Sequence, residues 1–292
     1  MQWKPAARRP IVGAAILLFA AFLAPGAMAA DGGFSDTSIG FRYGPDFSEP
    51  AVVNADGSSA QIGKRIVNLT HVDGSASGGN LLVVDALFSN DDDPDNDGND
   101  GAREVYLIYR HSFASNALFG RHFAFGPVRD TDIVAGFDLN TKDTDYAPRK
   151  RMFVLGPQFQ IAVPKGFFAI SLLAEREYDH NGIVGRAENF DTTWAVESAW
   201  MAPFSTGAVP TQFEGYLNFY GPKGRNDFGD PTRTETLFHP RLMFDLGSLA
   251  GHKDRFYAGV GYEFWYNKFG ADHELTQGAI EHTWLVEAAC HF

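Results

Sequence analysis

Acidic side chains at regular spacing between Asp93 and Glu104 form the most specific chemical pattern in the chain. Asp93, Asp95 and Asp97 hold the first, third and fifth positions, Gly98 holds the sixth, and Glu104 holds the twelfth. Calcium-binding loops have this spacing, because Ca²⁺ takes hard oxygen ligands and the glycine permits a sharp turn. The spacing makes Ca²⁺ a candidate ligand. A solvated acidic loop is the favoured alternative, since acidic runs produce the same spacing and no helical pattern flanks it.

A histidine beside a serine offers a second kind of chemistry. His111 and Ser112 are adjacent, and a histidine that accepts the hydroxyl proton of a serine creates a nucleophile that can hydrolyse lipids at a membrane interface. The sequence identifies no acidic residue that would orient His111. A histidine that ends a strand at the level of the lipid head groups is the favoured interpretation, so we expect no enzyme activity, with a lipid hydrolase kept as an alternative.

A larger set of polar and aromatic residues alternates with apolar ones along several segments. Aromatic faces stack on planar rings, while amides and carboxylates bond to ring edges and sugar hydroxyls. Core packing explains the aromatic members as well. The candidate solute-binding residues are Tyr106, Arg110, Gln158, Gln160, Glu175, Glu197, Glu214, Tyr216, Asn218, Arg241, Tyr257, Glu263 and Trp265.

Alternation with a period of two predicts that strands position these residues. Since no stretch after residue 30 has 18 consecutive apolar residues, a membrane-spanning chain must form a closed β-barrel. The strand lengths suit a tilted crossing of an apolar band of about 25 Å. We therefore expect an all-β, antiparallel transmembrane barrel of about twelve strands. The strands are predicted at residues 35–43, 64–72, 80–88, 104–113, 129–139, 151–162, 167–176, 192–201, 212–220, 234–245, 255–266 and 281–292.

The last predicted strand indicates which face meets lipid. Trp284, Val286 and Phe292 share one face with other apolar residues, whereas Glu287 lies on the opposite face. Lipid cannot hydrate a charge, so the ionic face must line the lumen. A strand that ends the chain on a phenylalanine is typical of bacterial outer-membrane barrels. A periplasmic β-sandwich also alternates, but long strands with aromatic ends favour the barrel.

The amino terminus predicts export. Residues 1–29 combine the basic Lys4, Arg8 and Arg9 with an apolar stretch and a small-residue cleavage site at residues 27–29. Cys290 is the only cysteine, so no intrachain disulfide can form. The formal net charge of −12 argues against a nucleic-acid partner. The predicted organisation is a signal peptide at residues 1–29 and a barrel of the bacterial outer membrane at residues 30–292, in contact with outer-membrane lipid.

Loop lengths predict the orientation of the barrel. If the carboxy terminus is periplasmic, the connections at residues 73–79 and 162–166 are short periplasmic turns. The long segment at residues 114–128 is an exception on that side, for which we expect a helix or a shifted strand boundary. The external loops are predicted at residues 44–63, 89–103, 140–150, 177–191, 221–233 and 267–280.

The chain resembles the Tsx-type nucleoside-specific outer-membrane channels at Gly-Phe-Asp-Leu-Asn-Thr-Lys, residues 136–142, and at Arg-Lys-Arg-Met, residues 149–152. The resemblance implies a narrow, monomeric, twelve-stranded barrel that passes nucleosides down their gradient without a cofactor. The acidic insertion at residues 89–101 has no counterpart in the family. Family-like positions at this strand-loop-strand junction are Asp138, Asn140, Lys142, Arg149 and Arg151.

Three functions follow from these observations. The favoured one is a passive outer-membrane channel for nucleosides or similar small planar solutes. A structural or adhesive surface barrel, whose loops bind a partner or Ca²⁺, is the second. A general diffusion porin or a barrel lipid hydrolase is the third.

Overall fold

The computed structural model of the protein describes residues 33–292, and the signal peptide predicted at residues 1–29 lies outside this range. Thirteen β-strands and one α-helix account for most of the described chain. Among these residues, no helix is long and apolar enough to cross a membrane. The strands are β1 (Phe34–Phe47), β2 (Ile62–Ser75), β3 (Gly78–Ser89), β4 (Arg103–Ala114), β5 (Val128–Lys142), β6 (Arg151–Ile161), β7 (Phe167–Asn181), β8 (Arg186–Asn189), β9 (Thr193–Thr206), β10 (Val209–Tyr220), β11 (Glu235–Asp245), β12 (Phe256–Tyr266) and β13 (Ile280–His291), and the helix is α1 (Ser115–Phe119).

Twelve of the strands close into one antiparallel barrel. Consecutive strands pair from β1 to β7, β7 pairs with β9, pairing continues to β13, and β13 pairs with β1. The short β8 pairs only with the last residues of β7 and forms a hairpin beyond the ring. The predicted all-β, twelve-stranded barrel is therefore confirmed, and every barrel strand finds two neighbours for its backbone hydrogen bonds.

The two ends of the barrel carry connections of different length. Ser38 pairs with His291, so both ends of the described barrel chain lie at one end, which we call the terminal end. The connections there include residues 76–77, 162–166 and 207–208, which are short. The opposite end carries mostly longer connections and is called the loop end. Outer-membrane barrels have short periplasmic turns and long external loops, so the loop end faces the exterior.

The long segment at the terminal end contains a helix, as one of its predicted alternatives stated. Helix α1 occupies the first part of the connection between β4 and β5. It ends at Gly120, whose φ of 69° is the left-handed conformation that closes helices.

Apolar side chains cover the outward face of the strands. Ile39 and Phe41 of β1 and Trp284 and Val286 of β13 are exposed, although they are large and apolar. A soluble protein would bury such residues, whereas a lipid bilayer solvates them. The alternate positions on the same strands point into the lumen and are mostly polar, which is the arrangement predicted for β13.

Candidate functional site: the barrel lumen

All thirteen candidate solute-binding residues lie at inward positions of the barrel strands. The pairing of Tyr106 with Asp85 and Asn140, for example, continues the row of inward residues from β3 through β5. Arg110 reaches Glu197 and Arg241 reaches Glu287, both on non-neighbouring strands, so these side chains point across the lumen rather than towards lipid. Their role in binding a solute stays a prediction.

An arginine of β4 crosses part of the lumen to reach a non-neighbouring strand. The guanidinium of Arg110 donates from Nε and Nη2 to the two carboxylate oxygens of Glu197 on β9, at 3.0 and 2.7 Å. Its Nη1 donates to Asp138 of β5 at 2.5 Å. Strands β5, β6 and β7 separate β4 from β9, so this ion-paired group, the Arg110 bridge, spans a chord of the barrel and narrows it.

Two tyrosines attach to the Arg110 bridge. The hydroxyl of Tyr106 donates to Asp138 at 3.2 Å, and the hydroxyl of Tyr220 donates to Glu197 at 3.5 Å. The amide of Asn218 donates to Tyr220 at 3.3 Å. Aromatic rings, carboxylates and an amide therefore meet at one level of the lumen, although the contributing residues are far apart in sequence.

A second cluster surrounds a buried histidine on β11. His239 lies within 2.8 Å of Glu263 and 3.0 Å of Glu287 through its two ring nitrogens. The ring of Tyr216 stacks on the His239 ring, with centroids 5.2 Å apart and an interplanar angle of 17°. Sequence analysis did not select His239 as a candidate, although it lies two residues before Arg241 in the same alternating strand.

Arg241 completes this cluster. Its Nε lies 3.0 Å from Glu214 and its Nη1 lies 3.1 Å from Glu287. Gly261 faces Glu287 and His239, and a side chain at this position would collide with the carboxylate of Glu287. Four of the predicted residues, Glu214, Tyr216, Arg241 and Glu263, thus lie in one network around His239.

Neutral amides line part of the lumen nearer the terminal end. The side chain of Gln160 donates to Gln158 at 2.9 Å and to Asp132 at 3.2 Å, and Gln158 donates to Ser171 at 3.0 Å. On the other wall, Gln212 donates to the hydroxyl of Tyr257 at 3.1 Å. The predicted Gln158, Gln160 and Tyr257 thus belong to two separate groups that have no hydrogen bond to the Arg110 bridge.

The lumen also contains apolar surface that the alternation pattern did not highlight. Val134, Met152, Val154, Leu173 and Ala195 pack together at inward positions of β5, β6, β7 and β9. Tyr220 packs against this group. The lumen wall is therefore mixed, with an apolar strip beside the polar Arg110 bridge.

At the loop end, a carboxylate from the first connection closes on three lysines. Glu49 forms an ion pair with Lys64, and its Oε1 lies 3.5 Å from the Nζ atoms of both Lys142 and Lys268. All four side chains are almost completely buried. Burial alone would raise the pKa of Glu49, but the three ammonium groups outweigh it and hold that pKa well below its ordinary value.

Further contacts fix the first connection in this opening, which we call the mouth. Lys268 donates to the backbone carbonyl of Ser48 at 2.8 Å and to Glu281 at 2.7 Å, while the Ser48 amide donates to Glu281 at 2.9 Å. Asp93 lies 2.8 Å from Lys142. The mouth cluster is defined as Glu49, Lys64, Asp93, Lys142, Lys268 and Glu281.

The remaining two predicted residues lie near buried lysines. Glu175 lies near Lys150 and Lys223, whereas Trp265 lies beside Lys268, whose Nζ is 4.6 Å from the ring centroid. Glu177 lies 3.2 Å from Lys150 and 2.6 Å from Lys223. Glu175, which was predicted, is buried nearby, and its Oε2 has no hydrogen-bond partner among the described residues. The indole of Trp265 donates to Glu235 at 2.7 Å.

The structure does not support the calcium loop. Its first predicted ligand, Asp93, is buried against Lys142 and accepts a hydrogen bond from Ser89 at 2.7 Å. Glu104, the predicted twelfth ligand, accepts from Asn140 at 2.9 Å. Within residues 33–292, no group of three or more histidine, cysteine or acidic residues is arranged to hold a metal ion. A lysine thus supplies the positive charge that the acidic spacing had suggested for Ca²⁺.

The serine and histidine of the predicted hydrolase alternative do not meet. His111 and Ser112 are adjacent on β4, so their side chains point to opposite faces of the sheet. The ring Nδ1 of His111 lies 2.8 Å from Asn80, while the Ser112 hydroxyl lies near the backbone of Gly79. These contacts leave no path for His111 to accept the Ser112 proton.

Comparison with known proteins gives matches among solved structures only. No family model and no curated protein matches the chain. The chain is similar to the COG4313 outer membrane channel from Pseudomonas putida F1, with a TM-score of 0.47 at 8% identity over 88% of this chain and 95% of that one. It is similar to the KdgM porin, with a TM-score of 0.43 at 9% identity over 87% and 99% of the two chains. For the NanC porin the TM-score is 0.42 at 8% identity, over 88% and 98%.

The closed barrel and its apolar outward face decide the location of the protein. The protein lies in the bacterial outer membrane. A sheet without edges satisfies its backbone in lipid, and the exposed apolar belt requires a bilayer around it. The resemblance to Tsx-type channels stays a prediction, because no family model matches.

Proposed function

We propose that the barrel is a passive, substrate-selective channel for nucleosides or similar small planar solutes. The observation that carries the proposal is the Arg110 bridge with its two attached tyrosines. Tyr106 and Tyr220 bring aromatic rings to the level at which Asp138 and Glu197 bring hydrogen-bond acceptors. A flat base can stack on a tyrosine ring while sugar hydroxyls donate to the carboxylates.

The narrowing of the lumen supports selectivity over general diffusion. Arg110 and Glu197 approach each other from non-neighbouring strands and hold their positions through two hydrogen bonds. A solute must pass beside this pair, so its shape and its hydrogen-bonding groups determine whether it enters. The apolar strip around Met152 and Leu173 offers a surface for the face of a ring, next to the polar bridge.

The balance of charge supports neutral or cationic solutes. Carboxylates outnumber basic groups around the His239 cluster, where Glu214, Glu263 and Glu287 face His239 and Arg241. Opposed charges within the lumen create a transverse field and orient polar solutes. Transport without energy coupling also requires that the solute leave, so stacking and hydrogen bonding must be weak enough for release.

Single-channel conductance of the refolded protein in a planar bilayer tests the proposal, with adenosine, thymidine and glucose added in turn. We expect concentration-dependent block by the two nucleosides and none by glucose. Steady currents unaffected by all three solutes would replace the proposal with a general diffusion pore. A folded barrel without current would favour a structural or adhesive barrel.

A pair of tyrosine variants ties the block to the lumen. Tyr106→Leu removes an inward ring, and because stacking contributes about 1–3 kcal/mol per base, the block by adenosine should weaken about tenfold or more. Tyr43→Leu is the matched control, since Tyr43 is exposed on the outward face. Equal loss of block in the two variants would contradict a binding site at the Arg110 bridge.

A further inference from the structure

Arginines on the outward face of the barrel form a group that the channel does not use. Arg65, Arg103, Arg151 and Arg176 occupy outward positions on β2, β4, β6 and β7, all towards the loop end. We call them the arginine arc. They lie above the apolar belt, at the level where the head groups of the external leaflet begin.

The pairing of the strands groups the arc into two neighbouring pairs. Arg65 and Arg103 both pair with Phe88 of the strand between them, so their backbones are about 10 Å apart. Arg176 pairs with Phe153, two residues from Arg151 on the adjacent strand, which makes these arginines diagonal neighbours about 7–8 Å apart. Each pair can therefore contact one head group from two sides.

Arginines inside and outside the barrel differ in their partners. Inside, Arg42 pairs with Asp85, Arg110 pairs with two carboxylates, and Arg241 pairs with two more. Outside, Arg65, Arg151 and Arg176 have no acidic side chain within 4 Å among the described residues. Arg103 has a single contact of 3.6 Å with Asp100, and its side chain remains 62% exposed.

Acidic residues are almost absent from the outward face of the described strands. Asp73 is an outward acidic residue, but it lies near the terminal end of β2. The arc therefore presents uncompensated positive charge towards the surrounding leaflet, on the side of the barrel formed by β2 to β7. A guanidinium prefers a planar or tetrahedral oxyanion that accepts two hydrogen bonds, and a phosphate offers this geometry.

We propose that the arginine arc binds the phosphate groups of a phosphorylated glycolipid in the external leaflet. Charge complementarity supplies the attraction, and the exposed Tyr43 and Phe88 beside Arg65 supply apolar contact at the head-group boundary. The occupant is a membrane lipid rather than free phosphate, because the arc lies directly above the surface that the acyl chains cover.

Native mass spectrometry of the purified barrel in neutral detergent tests this site, with bisphosphorylated lipid A and chemically dephosphorylated lipid A as probes. The wild type should bind the bisphosphorylated form more tightly by a factor on the order of 100. Excess inorganic phosphate should fail to displace it. Equal affinity for the two lipids, or complete displacement by inorganic phosphate, would overturn the proposal.

Variants assign the binding to the arc. The triple variant Arg65→Gln, Arg151→Gln, Arg176→Gln should lose most of the preference for the phosphorylated lipid. Arg129→Gln is the matched control, because Arg129 is an exposed outward arginine at the terminal end. Equal losses in both variants would contradict the assignment. The triple variant should keep the wild-type conductance and nucleoside block, so this test fails or succeeds independently of the proposed channel function.

Discussion

The middle of the lumen and its mouth both hold buried ion pairs, but different parts of the chain build them. In the Arg110 bridge, all three charged groups come from barrel strands. In the mouth cluster, Glu49, Asp93 and Lys268 come from connections between strands. The bridge is therefore held by the wall of the barrel, whereas the mouth depends on three connections that fold back over the opening.

This difference assigns different roles to the two regions. Strands that are hydrogen-bonded on both sides give Arg110 and Glu197 fixed positions, as a selective constriction requires. A connection such as residues 48–61 can change its position without unfolding the barrel, so we expect the contacts of Glu49 to control how far the mouth is open. We therefore expect selectivity to depend on the bridge and access to depend on the mouth.

The largest effect is expected from Arg110→Ala. The substitution removes the cation that separates Asp138 from Glu197 and opens the constriction, so conductance and cation preference should rise and nucleoside block should fall. Because two buried carboxylates lose their partner, the free energy of unfolding should fall by about 3 kcal/mol. Conductance in planar bilayers and denaturant unfolding in vesicles measure these changes.

A double variant separates the lost cation from the unpaired charge that remains. Arg110→Ala combined with Glu197→Ala should recover part of the lost stability, because it also removes a buried carboxylate, while the conductance stays high. Arg129→Ala, on the outward face, should leave both quantities unchanged. Unaltered conductance in Arg110→Ala would show that the bridge does not constrict the pathway.

The same contrast explains how much could be predicted from the sequence. Lipid requires apolar residues at every second position, so alternation alone assigned Arg110, Glu197 and Glu263 to the inward face. It could not show that Arg110 meets Glu197, because the two residues are 87 positions apart in the sequence and meet only when the barrel closes.

The loops offered no such constraint. Asp93 has the spacing of a calcium ligand, and its actual partner, Lys142, lies on a distant strand. Strand β8 was missed for a similar reason, since Arg186–Asn189 is too short to show a period and was assigned to a loop at residues 177–191. His239 was overlooked because a single histidine in an alternating strand carries no further signal.

A smaller effect is expected from Glu49→Gln, which tests the mouth. The amide keeps the shape of the side chain but leaves three buried ammonium groups without their shared partner. The first connection should loosen, with a loss of about 2 kcal/mol in the free energy of unfolding. Open-channel current should rise and anion preference should increase, and bilayer recordings with potassium chloride gradients measure both.

Ser58→Ala is the control for the mouth variant. Ser58 lies in the same connection but is exposed and bonds only to local groups, Asn54 and Asp56. Its current and ion preference should match those of the wild type. Identical currents from Glu49→Gln and the wild type would place the control of access elsewhere.

The contacts of Glu49 in the mouth should not change above the ordinary carboxyl range. The pKa of Glu49 in the folded protein lies well below its ordinary value of 4.5. A depressed pKa means that the ionised form contributes stability above the unfolded pKa, and that this contribution disappears as the pH falls through the folded value. The contribution of Glu49 to the closed mouth should therefore persist from neutral pH down to about pH 4.5.

Opening should follow only at more acidic pH, and Glu49→Gln should lack that step. Recording the two proteins in parallel over the acidic range separates protonation of Glu49 from that of other carboxyls. A wild-type step at or above the ordinary carboxyl pKa that is absent from Glu49→Gln would contradict the contacts of Glu49 with Lys64, Lys142 and Lys268.

The smallest effect concerns calcium and the connection that supplies Asp93. Since Asp93 is paired with Lys142 and no described cluster is arranged to hold a metal, Asp95→Ala should give the same heat as the wild type in a calorimetric titration with CaCl₂. Lys142→Ala offers a sharper comparison, because it frees the Asp93 carboxylate. A heat of calcium binding in Lys142→Ala that is absent from the wild type would show that the lysine occupies the place of the cation. A strong heat of binding in the wild type that is lost in Asp95→Ala would instead restore the calcium loop and weaken the distinction between mouth and middle.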